Sequence, residues 1–458
     1  MLSRRQLLQS SAMGFGWLAL ADLMARAETR ANPLAPRKPH FEPKAKRVIF
    51  LFMHGGPSQV DTFDHKPRLT ADHGKPLPFS KPRVVSGETG NLLASPWKFK
   101  QYGQSGATVS ELFPRISTIV DDLCFIKSMH GSNSRHGGAL LELHTGSDTF
   151  VRPSMGSWVT YGLGTENQDL PGFITICPSL SHGGVNNFSS AFLPAIYQGT
   201  PLGNSGIPSD RAAVPFIAGT TPRDQQRRDI DLLGEMDRER LAQVGQDSAM
   251  EGRIASFEMA FRMQSTAPDL QDLSKETKET KALYGLDNPV TANFGRQCLM
   301  ARRFSEAGVR FVQCSHSYKW DQHGELRKDH ARNALEVDQP ITGLLTDLKR
   351  RGLLKDTLVV WGGEFGRTPV AQGNDGRDHN PHAFTYFLAG GGVKPGITYG
   401  STDDYGYYAA TDKVHFHDLH ATILHLLGFN HLKLTYRHAG RDFRLTDIHG
   451  EVVKGILA

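Results

Sequence analysis

Short, continuous apolar runs alternate along the chain with stretches of helical periodicity. The runs lack polar alternation, which is typical of strands buried on both faces. We expect six strands, at Val48–Met53, Leu123–Ser128, Phe173–Cys177, Val309–Cys314, Thr357–Trp361 and Phe384–Ala389. Helices are predicted between them, at Ser110–Asp121, Gly137–His144, Ala292–Ala307, Asp329–Arg351 and Asp418–Leu427. The alternation predicts an α/β fold with three α/β/α layers around a mostly parallel central sheet.

The beginning of the chain has the parts of an export signal. Residues 1–27 contain the pair Arg4-Arg5, a weakly apolar stretch from Ser11 to Leu20 and a small-x-small sequence, Ala25-Arg26-Ala27. These parts are typical of a Tat signal peptide, which predicts a periplasmic or secreted protein. A short amphipathic helix is the alternative interpretation. The apolar stretch is too short for a permanent membrane span.

Two further segments depart from the α/β pattern. Residues 28–46 are rich in proline and basic residues and are predicted to form an extended arm before one α/β domain, 47–458. Residues 223–284 are highly charged, with helical spacing and few helix breakers. We predict that they form a helical insertion whose role is scaffolding, with a lid or a dimer contact as alternatives.

Composition narrows the class of protein. The chain has 458 residues, 39% hydrophobic and 22% charged, which indicates a globular protein and excludes a disordered or fibrous one. The net charge is +5, but lysine and arginine are spread along the chain, so a nucleic-acid partner is not expected. The four cysteines have no CxxC spacing, which argues against a zinc–thiolate site. Nothing in the sequence predicts an oligomeric state.

Histidine stands out, with 20 copies, many of them next to predicted strands. The carboxyl ends of parallel strands meet at one edge of a sheet, where ligands usually bind. Histidines, carboxylates and other polar residues lie next to predicted strands in five separate segments: His54, Asp61 and Asp64; His130, Ser132, Ser134, Arg135 and His136; His316, Asp321 and His323; Glu364 and Arg367; Asp378, His379 and His382. We interpret them as a metal or catalytic cluster, with chance polarity of loops as the alternative.

A cation site is predicted within this set. In an extended segment Asp321 and His323 lie on one face, which suits two ligands of one ion, although a local Asp–His hydrogen bond is the alternative. His379 is a better ligand candidate than His382. The predicted metal ligands are His54, Asp321, His323, Glu364 and His379. Histidine and carboxylate ligands suit a divalent metal, first zinc, with Mn, Fe or Ca as alternatives.

An anion site is predicted beside it. His136 lies at the start of a predicted helix, and the free N–H groups of a helix start attract anions. His144, two turns further on, is too distant for the same ion and is interpreted as structural. The catalytic candidates are Ser132 as nucleophile, Arg135 and Arg367 as stabilisers of developing charge, and His136. Capping of the helix by Ser134 is the alternative function of this segment.

Several motifs resemble the sulfatase-like branch of the alkaline-phosphatase superfamily, and more closely an uncharacterised family of Tat-exported bacterial proteins. They are His54-Gly55-Gly56-Pro57-Ser58 with Asp61-Thr62-Phe63-Asp64, Trp320-Asp321-Gln322-His323-Gly324, Trp361-Gly362-Gly363-Glu364-Phe365-Gly366-Arg367-Thr368, Gly376-Arg377-Asp378-His379, Leu388-Ala389-Gly390-Gly391-Gly392, and Asp418-Leu419-His420-Ala421-Thr422-Ile423-Leu424.

The resemblance implies a metal-dependent hydrolase of sulfate or phosphate esters, with a small-molecule or polysaccharide ester as substrate. The sequence also departs from the pattern of the superfamily at several positions. His54 stands where the first strand normally ends in a metal-binding Asp, and Glu364-Phe365 stands in place of Asp-His. The sulfatase motif Cys/Ser-x-Pro-x-Arg reads Gly131-Ser132-Asn133-Ser134-Arg135. These departures favour one metal or a non-standard site, and leave a non-catalytic binding or scaffold protein of the cell envelope as the alternative.

Overall fold

The computed structural model describes residues 32–458 except 81–86, 216, 218–220 and 245–246. The predicted export signal, 1–27, lies outside the described residues. The described strands are β1 Arg47–Met53, β2 Phe99–Tyr102, β3 Ala107–Ser110, β4 Leu123–His130, β5 Phe173–Ile176, β6 Thr200–Leu202, β7 Phe311–His316, β8 Thr357–Gly362, β9 Gly366–Gln372, β10 Gly376–Asn380, β11 Phe384–Ala389, β12 Ile397–Tyr399, β13 Ser401–Thr402, β14 Ala409–Thr411, β15 Val414–His415, β16 Tyr436–His438 and β17 Arg441–Phe443.

The described α-helices are α1 Gln59–Thr62, α2 Pro67–Ala71, α3 His136–Thr145, α4 Met155–Leu163, α5 Arg223–Val244, α6 Ser248–Gln271, α7 Lys278–Leu283, α8 Ala292–Glu306, α9 Leu326–Arg350 and α10 Phe416–Leu426. Short 3-10 helices occur at Ile116–Asp122, Gly184–Phe188, Ala195–Tyr197, Leu273–Lys275, Leu354–Asp356 and Lys454–Ile456. Helices α5, α6 and α7 lie within the segment predicted as a helical insertion. None of the described helices combines the length and apolar character needed to cross a bilayer.

A nine-stranded sheet forms the centre, in the order β12-β4-β11-β8-β1-β7-β5-β6, with β15 also paired to β4. Its pairs are parallel except those on either side of β11, which runs antiparallel to β4 and β8. The predicted mostly parallel sheet is therefore confirmed. The central strands β1, β7 and β8 are buried along their whole length, as their continuous apolar runs predict.

Helices cover both faces of this sheet. On one face Cys314, in register with Leu51 of β1, places its thiol 3.4 Å from the Gln297 carbonyl oxygen of α8. On the other face Phe50 and Phe52 pack against the His144 ring of α3, with ring centroids 6.0 and 5.0 Å apart. Neighbouring residues of one strand thus meet helices on opposite sides, which confirms the three-layer architecture.

Three local predictions are corrected. The segment Ser110–Asp121 is not an α-helix: β3 ends at Ser110 and only a 3-10 helix begins at Ile116, because Pro114 lacks the N–H that a helix interior needs. Helix α10 is capped by His415 and not by Asp418, which accepts the His415 backbone N–H from the third helical position. β7 begins and ends two residues later than expected, so that His316 is its last residue.

Candidate metal centre

The topology brings most of the predicted residues to one edge of the sheet. His54 directly follows β1, Glu364 lies two residues beyond β8, and His136 begins α3 shortly after β4. Because β11 runs in the opposite direction, the residues that precede it, including His379, start from the same edge. The carboxyl edge of the parallel strands is therefore the candidate site, as expected for an open α/β sheet.

An antiparallel hairpin of β9 and β10 adds two of the side chains. It sets Arg367 directly opposite His379. Sequence analysis did not predict this hairpin, although Gly373-Asn374-Asp375-Gly376 is a turn-forming sequence of the kind that joins two strands. The hairpin packs tightly on the segment of His323, since a Cβ on Gly376 would lie 1.9 Å from the His323 carbonyl oxygen.

Three histidine rings at this edge share one pattern of hydrogen bonds at Nδ1. His136 Nδ1 lies 2.7 Å from a Glu364 carboxylate oxygen, and His379 Nδ1 lies 2.7 Å from the Ser134 carbonyl oxygen. His323 Nδ1 is hydrogen-bonded to the Gln372 side-chain oxygen. All three partner oxygens can accept a hydrogen bond but cannot donate one. Each neutral ring therefore carries its proton on Nδ1 and keeps a lone pair on Nε2.

The three Nε2 atoms point to one place, beside Asp321. Asp321 Oδ1 lies 3.3 Å from His136 Nε2, 2.9 Å from His323 Nε2 and 3.1 Å from His379 Nε2. The Nε2 atoms of His323 and His379 are 3.0 Å apart. Lone pairs that face each other and a carboxylate repel unless a positive charge lies between them.

The arrangement fits a divalent cation. Two atoms bound tetrahedrally at about 2.0–2.1 Å from one zinc ion are about 3.4 Å apart, close to the 3.3, 2.9 and 3.1 Å between Asp321 Oδ1 and the three Nε2 atoms. A histidine that donates its other N–H to a carboxylate or carbonyl oxygen is the usual form of a metal-binding imidazole. The buried Nε2 of His136 has no hydrogen-bond partner among the described residues, which leaves it available to such an ion.

Charge at the cluster supports the same interpretation. Burial alone would raise the pKa of Asp321, but the three imidazoles and the Arg367 guanidinium hold it far below its usual value. The bond to Asp321 raises the pKa of His323; burial lowers that of His136, but its carboxylate partners raise it overall. Burial lowers the pKa of His379 to about 4. The carboxylates of Asp321 and Glu364 thus favour positive charge at this position, where a cation would lie.

His54 and Glu364 lie behind this group. The two carboxylate oxygens of Glu364 accept the Gly55 backbone N–H at 2.9 and 3.1 Å. One of them also accepts a hydrogen bond from His136 and so orients its ring. His54 is 1% exposed, and neither of its nitrogens has a hydrogen-bond partner among the described residues. Its Nε2 lies 3.9 Å from Glu364. Burial lowers the pKa of His54 to about 4, so the ring is neutral at pH 7.

Arg367 is a positioning residue in the structure. Its side chain is 0% exposed and donates to Asp321 Oδ1 at 2.7 Å, to the carbonyl oxygens of Gly55 and Gly56, and to that of Arg377. A guanidinium enclosed in this way fixes Asp321 and the loop after β1. It does not face solvent, where a substrate would have to meet it.

Ser132 is turned away from the cluster. Its hydroxyl lies 3.1 Å from His415 Nε2, and its backbone N–H donates to Glu142. His415 Nδ1 accepts the backbone N–H of His417, which leaves the proton of the neutral ring on Nε2. That ring therefore cannot take a proton from Ser132, and the predicted nucleophile has no base.

The remaining predicted residues are placed as follows. Arg135 is exposed at the start of α3, beside the cluster, with no side-chain hydrogen bond among the described residues. Asp61 pairs with Arg377, and His316 is bonded to Trp320 and Glu336.

Two further residues at the site, Tyr318 and His182, were not selected from the sequence, whereas Asp378 was included in the predicted cluster but not among its metal ligands. Tyr318 donates its hydroxyl to Asp321 Oδ2. The His182 ring stacks on that of His136 at 4.9 Å, in a segment interpreted only as loop. Asp378 is fully buried, and one of its oxygens has no partner in the described part of the chain. His182 follows β5 as the other candidates follow their strands, and that position was the available signal.

Fold and cluster together define an α/β protein with a candidate metal centre at the carboxyl edge of its sheet. A family model described as "Protein of unknown function (DUF1501)" matches residues 45–457, and the chain belongs to this family. No match was found among curated proteins.

Solved structures align with most of the chain. The lipoteichoic acid synthase LtaP from Listeria monocytogenes is 10% identical, with 93% of this chain and 81% of that chain covered and a TM-score of 0.37. The PsFucS1 sulfatase from Pseudoalteromonas sp. is 13% identical, with 92% and 72% covered and a TM-score of 0.33. Alkaline phosphatase from the Antarctic bacterium TAB5 is 9% identical, with 84% and 99% covered and a TM-score of 0.35.

Proposed function

We propose that the protein is an exported, metal-dependent hydrolase of sulfate or phosphate esters. One observation carries the proposal: three imidazole Nε2 atoms lie 2.9 to 3.3 Å from one oxygen of the Asp321 carboxylate at the carboxyl edge of the sheet. His136, Asp321 and His379 would hold the cation, and His323, whose Nε2 lies 2.9 Å from Asp321 Oδ1 and 3.0 Å from His379 Nε2, would be a fourth ligand. Three nitrogen ligands and one oxygen ligand favour zinc, with Mn, Fe or Ca as alternatives.

A divalent cation at this point would supply Lewis-acid activation of an ester oxygen. The surrounding residues would keep the ligands in place, since Glu364 orients His136 and Arg367 and Tyr318 hold Asp321. Such outer contacts typically contribute 10- to 100-fold to metal affinity or activity.

The start of α3 provides N–H groups for the anionic part of an ester. His136 is the first residue of this helix, so its N-terminus lies next to the centre. No side chain caps it, and the first turn is open at Gly137, where a Cβ would meet nothing within 4 Å, whereas at Gly138 a Cβ would lie 2.2 Å from Asn133 Nδ2. Arg135 at the cap adds a positive charge. Both features would stabilise a tetrahedral oxyanion.

Water is the nucleophile in this proposal. Among the described residues no serine, threonine or cysteine side chain is hydrogen-bonded to His136, Asp321 or His323. Attack of water on the phosphorus or sulfur atom would release the alcohol and inorganic phosphate or sulfate. The Tat-type signal, 1–27, supports action in the periplasm or outside the cell, on a small-molecule or polysaccharide ester.

A substrate panel tests the proposal. The full chain, loaded with zinc or stripped with EDTA, is assayed with aryl phosphates and aryl sulfates. We expect hydrolysis that requires the metal and is lost in His379→Ala but kept in His438→Ala, a change at an exposed ring outside the cluster. Metal-loaded protein that hydrolyses none of these esters would contradict the proposal and favour a non-catalytic binding protein of the cell envelope.

A further inference from the structure

His182 occupies the open side of the metal centre. It lies in the loop after β5, on the solvent-exposed surface, and its backbone has a left-handed φ of 52°. Its ring stacks on His136 at 4.9 Å, meets the Tyr318 ring at 4.8 Å and approaches the His54 ring edge-on at 5.9 Å. The imidazole is therefore within one ring's width of a proposed ligand while its other side faces solvent.

The nitrogens of His182 are available to a bound molecule. Each ring that faces the proposed cation position uses Nδ1 for a hydrogen bond to an acceptor of the protein. Within the described ranges the His182 side chain makes no hydrogen bond, and its backbone carbonyl oxygen accepts one from the Asn187 side chain at 3.3 Å. Below it, the unpartnered nitrogens of fully buried His54 show that polar groups on this side of the centre also lack a partner.

An exposed hydrogen-bond donor at this place would have to be a residue other than Arg367. Arg367, the sequence candidate for charge stabilisation, is enclosed and already bonded to Asp321 and backbone carbonyls. The helix start and Arg135 follow β4, whereas His182 follows β5, on the other side of β1 in the strand order, and the two segments meet where the His182 ring stacks on His136. We propose that His182 donates a hydrogen bond to a non-bridging oxygen of the substrate's phosphate or sulfate group. This inference rests on the proposed function.

Anion binding to the zinc-loaded full chain tests the role without relying on turnover. The probes are inorganic phosphate and inorganic sulfate, titrated by calorimetry into wild type and two variants. His182→Gly removes the imidazole, and His182→Asn keeps an N–H donor; both residues accept the left-handed φ, so the loop is not strained by either change. Zinc content and thermal midpoint are measured for each protein, and His438→Asn is the control for loss of an exposed histidine.

We expect His182→Gly to bind the anion at least about tenfold more weakly than wild type, because a hydrogen bond to a charged oxygen is lost. His182→Asn should recover part of that affinity, and zinc content should stay unchanged. Equal anion affinity in wild type and His182→Gly would overturn the inference, as would metal-loaded wild type that binds neither anion. Wild type that takes up no zinc would refute the proposed function itself and the inference with it.

Discussion

Asp61 and Arg377 form an ion pair with no solvent exposure, and we predict that breaking it strongly destabilises the fold. Arg377 Nε and a terminal nitrogen lie 2.6 and 3.1 Å from the two carboxylate oxygens, and both side chains are 0% exposed. Asp61→Asn would leave the guanidinium buried without a counter-charge. Removing one partner of a buried pair typically costs about 3–5 kcal/mol, and we expect a loss of this size.

Urea unfolding of metal-free protein at neutral pH measures the effect. The control is Asp224→Asn, which breaks a 2.9 Å ion pair in which Arg228 is 67% exposed and Asp224 is 72% exposed. This substitution should cost less than about 0.5 kcal/mol. A double variant, Asp61→Asn with Arg377→Met, should be more stable than Asp61→Asn alone because it removes the unpaired charge. Equal losses in Asp61→Asn and Asp224→Asn would refute the argument that burial sets the magnitude.

Three other outcomes are expected. Burial alone would raise the pKa of Asp61, but Arg377 holds it below its usual value of about 3.8. The stabilisation by the ion pair is therefore complete above that pH and is lost as the pH falls through the lowered pKa of the folded protein. In acid, the free energy of unfolding should fall more steeply with pH for wild type than for Asp61→Asn. Gly55→Ala places a Cβ 2.6 Å from the Asp321 backbone nitrogen at a φ of +116°, so calorimetry should show loss of zinc binding, whereas Gly74→Ala, with φ +80° and open space, should only lower stability by about 1 kcal/mol. Ser132→Ala should keep zinc affinity and ester hydrolysis, since the hydroxyl faces His415; a large loss of turnover at full zinc content would restore Ser132 as nucleophile.

The architecture could be predicted because its signal is hydrophobic. Strands such as Val48–Met53 are buried on both faces and therefore have no polar positions, and the helices between them have an apolar stripe. The hairpin of β9 and β10 has neither pattern. Consecutive residues of both strands are buried, among them Arg367, Arg377 and His379, which are accommodated by ion pairs and carbonyl oxygens from distant segments. No local pattern reports such partners.

The candidate site could be predicted only as a set of residues at strand ends. Sequence position indicated Asp321, His323 and His379, but not which nitrogen of each ring faces the centre, because that depends on Nδ1 acceptors elsewhere in the chain. It also could not separate an arginine that meets solvent from one that is enclosed, as Arg367 is. His182 was missed because the segment around it has no helical or strand periodicity.

Anomalous diffraction at the zinc edge, from crystals of zinc-loaded protein, tests the central claim most directly. The account predicts a peak about 2.0–2.2 Å from Nε2 of His136, His323 and His379 and from Oδ1 of Asp321. A peak only at another histidine group, such as His415, His417 and His449, or no peak at this edge of the sheet, would contradict it.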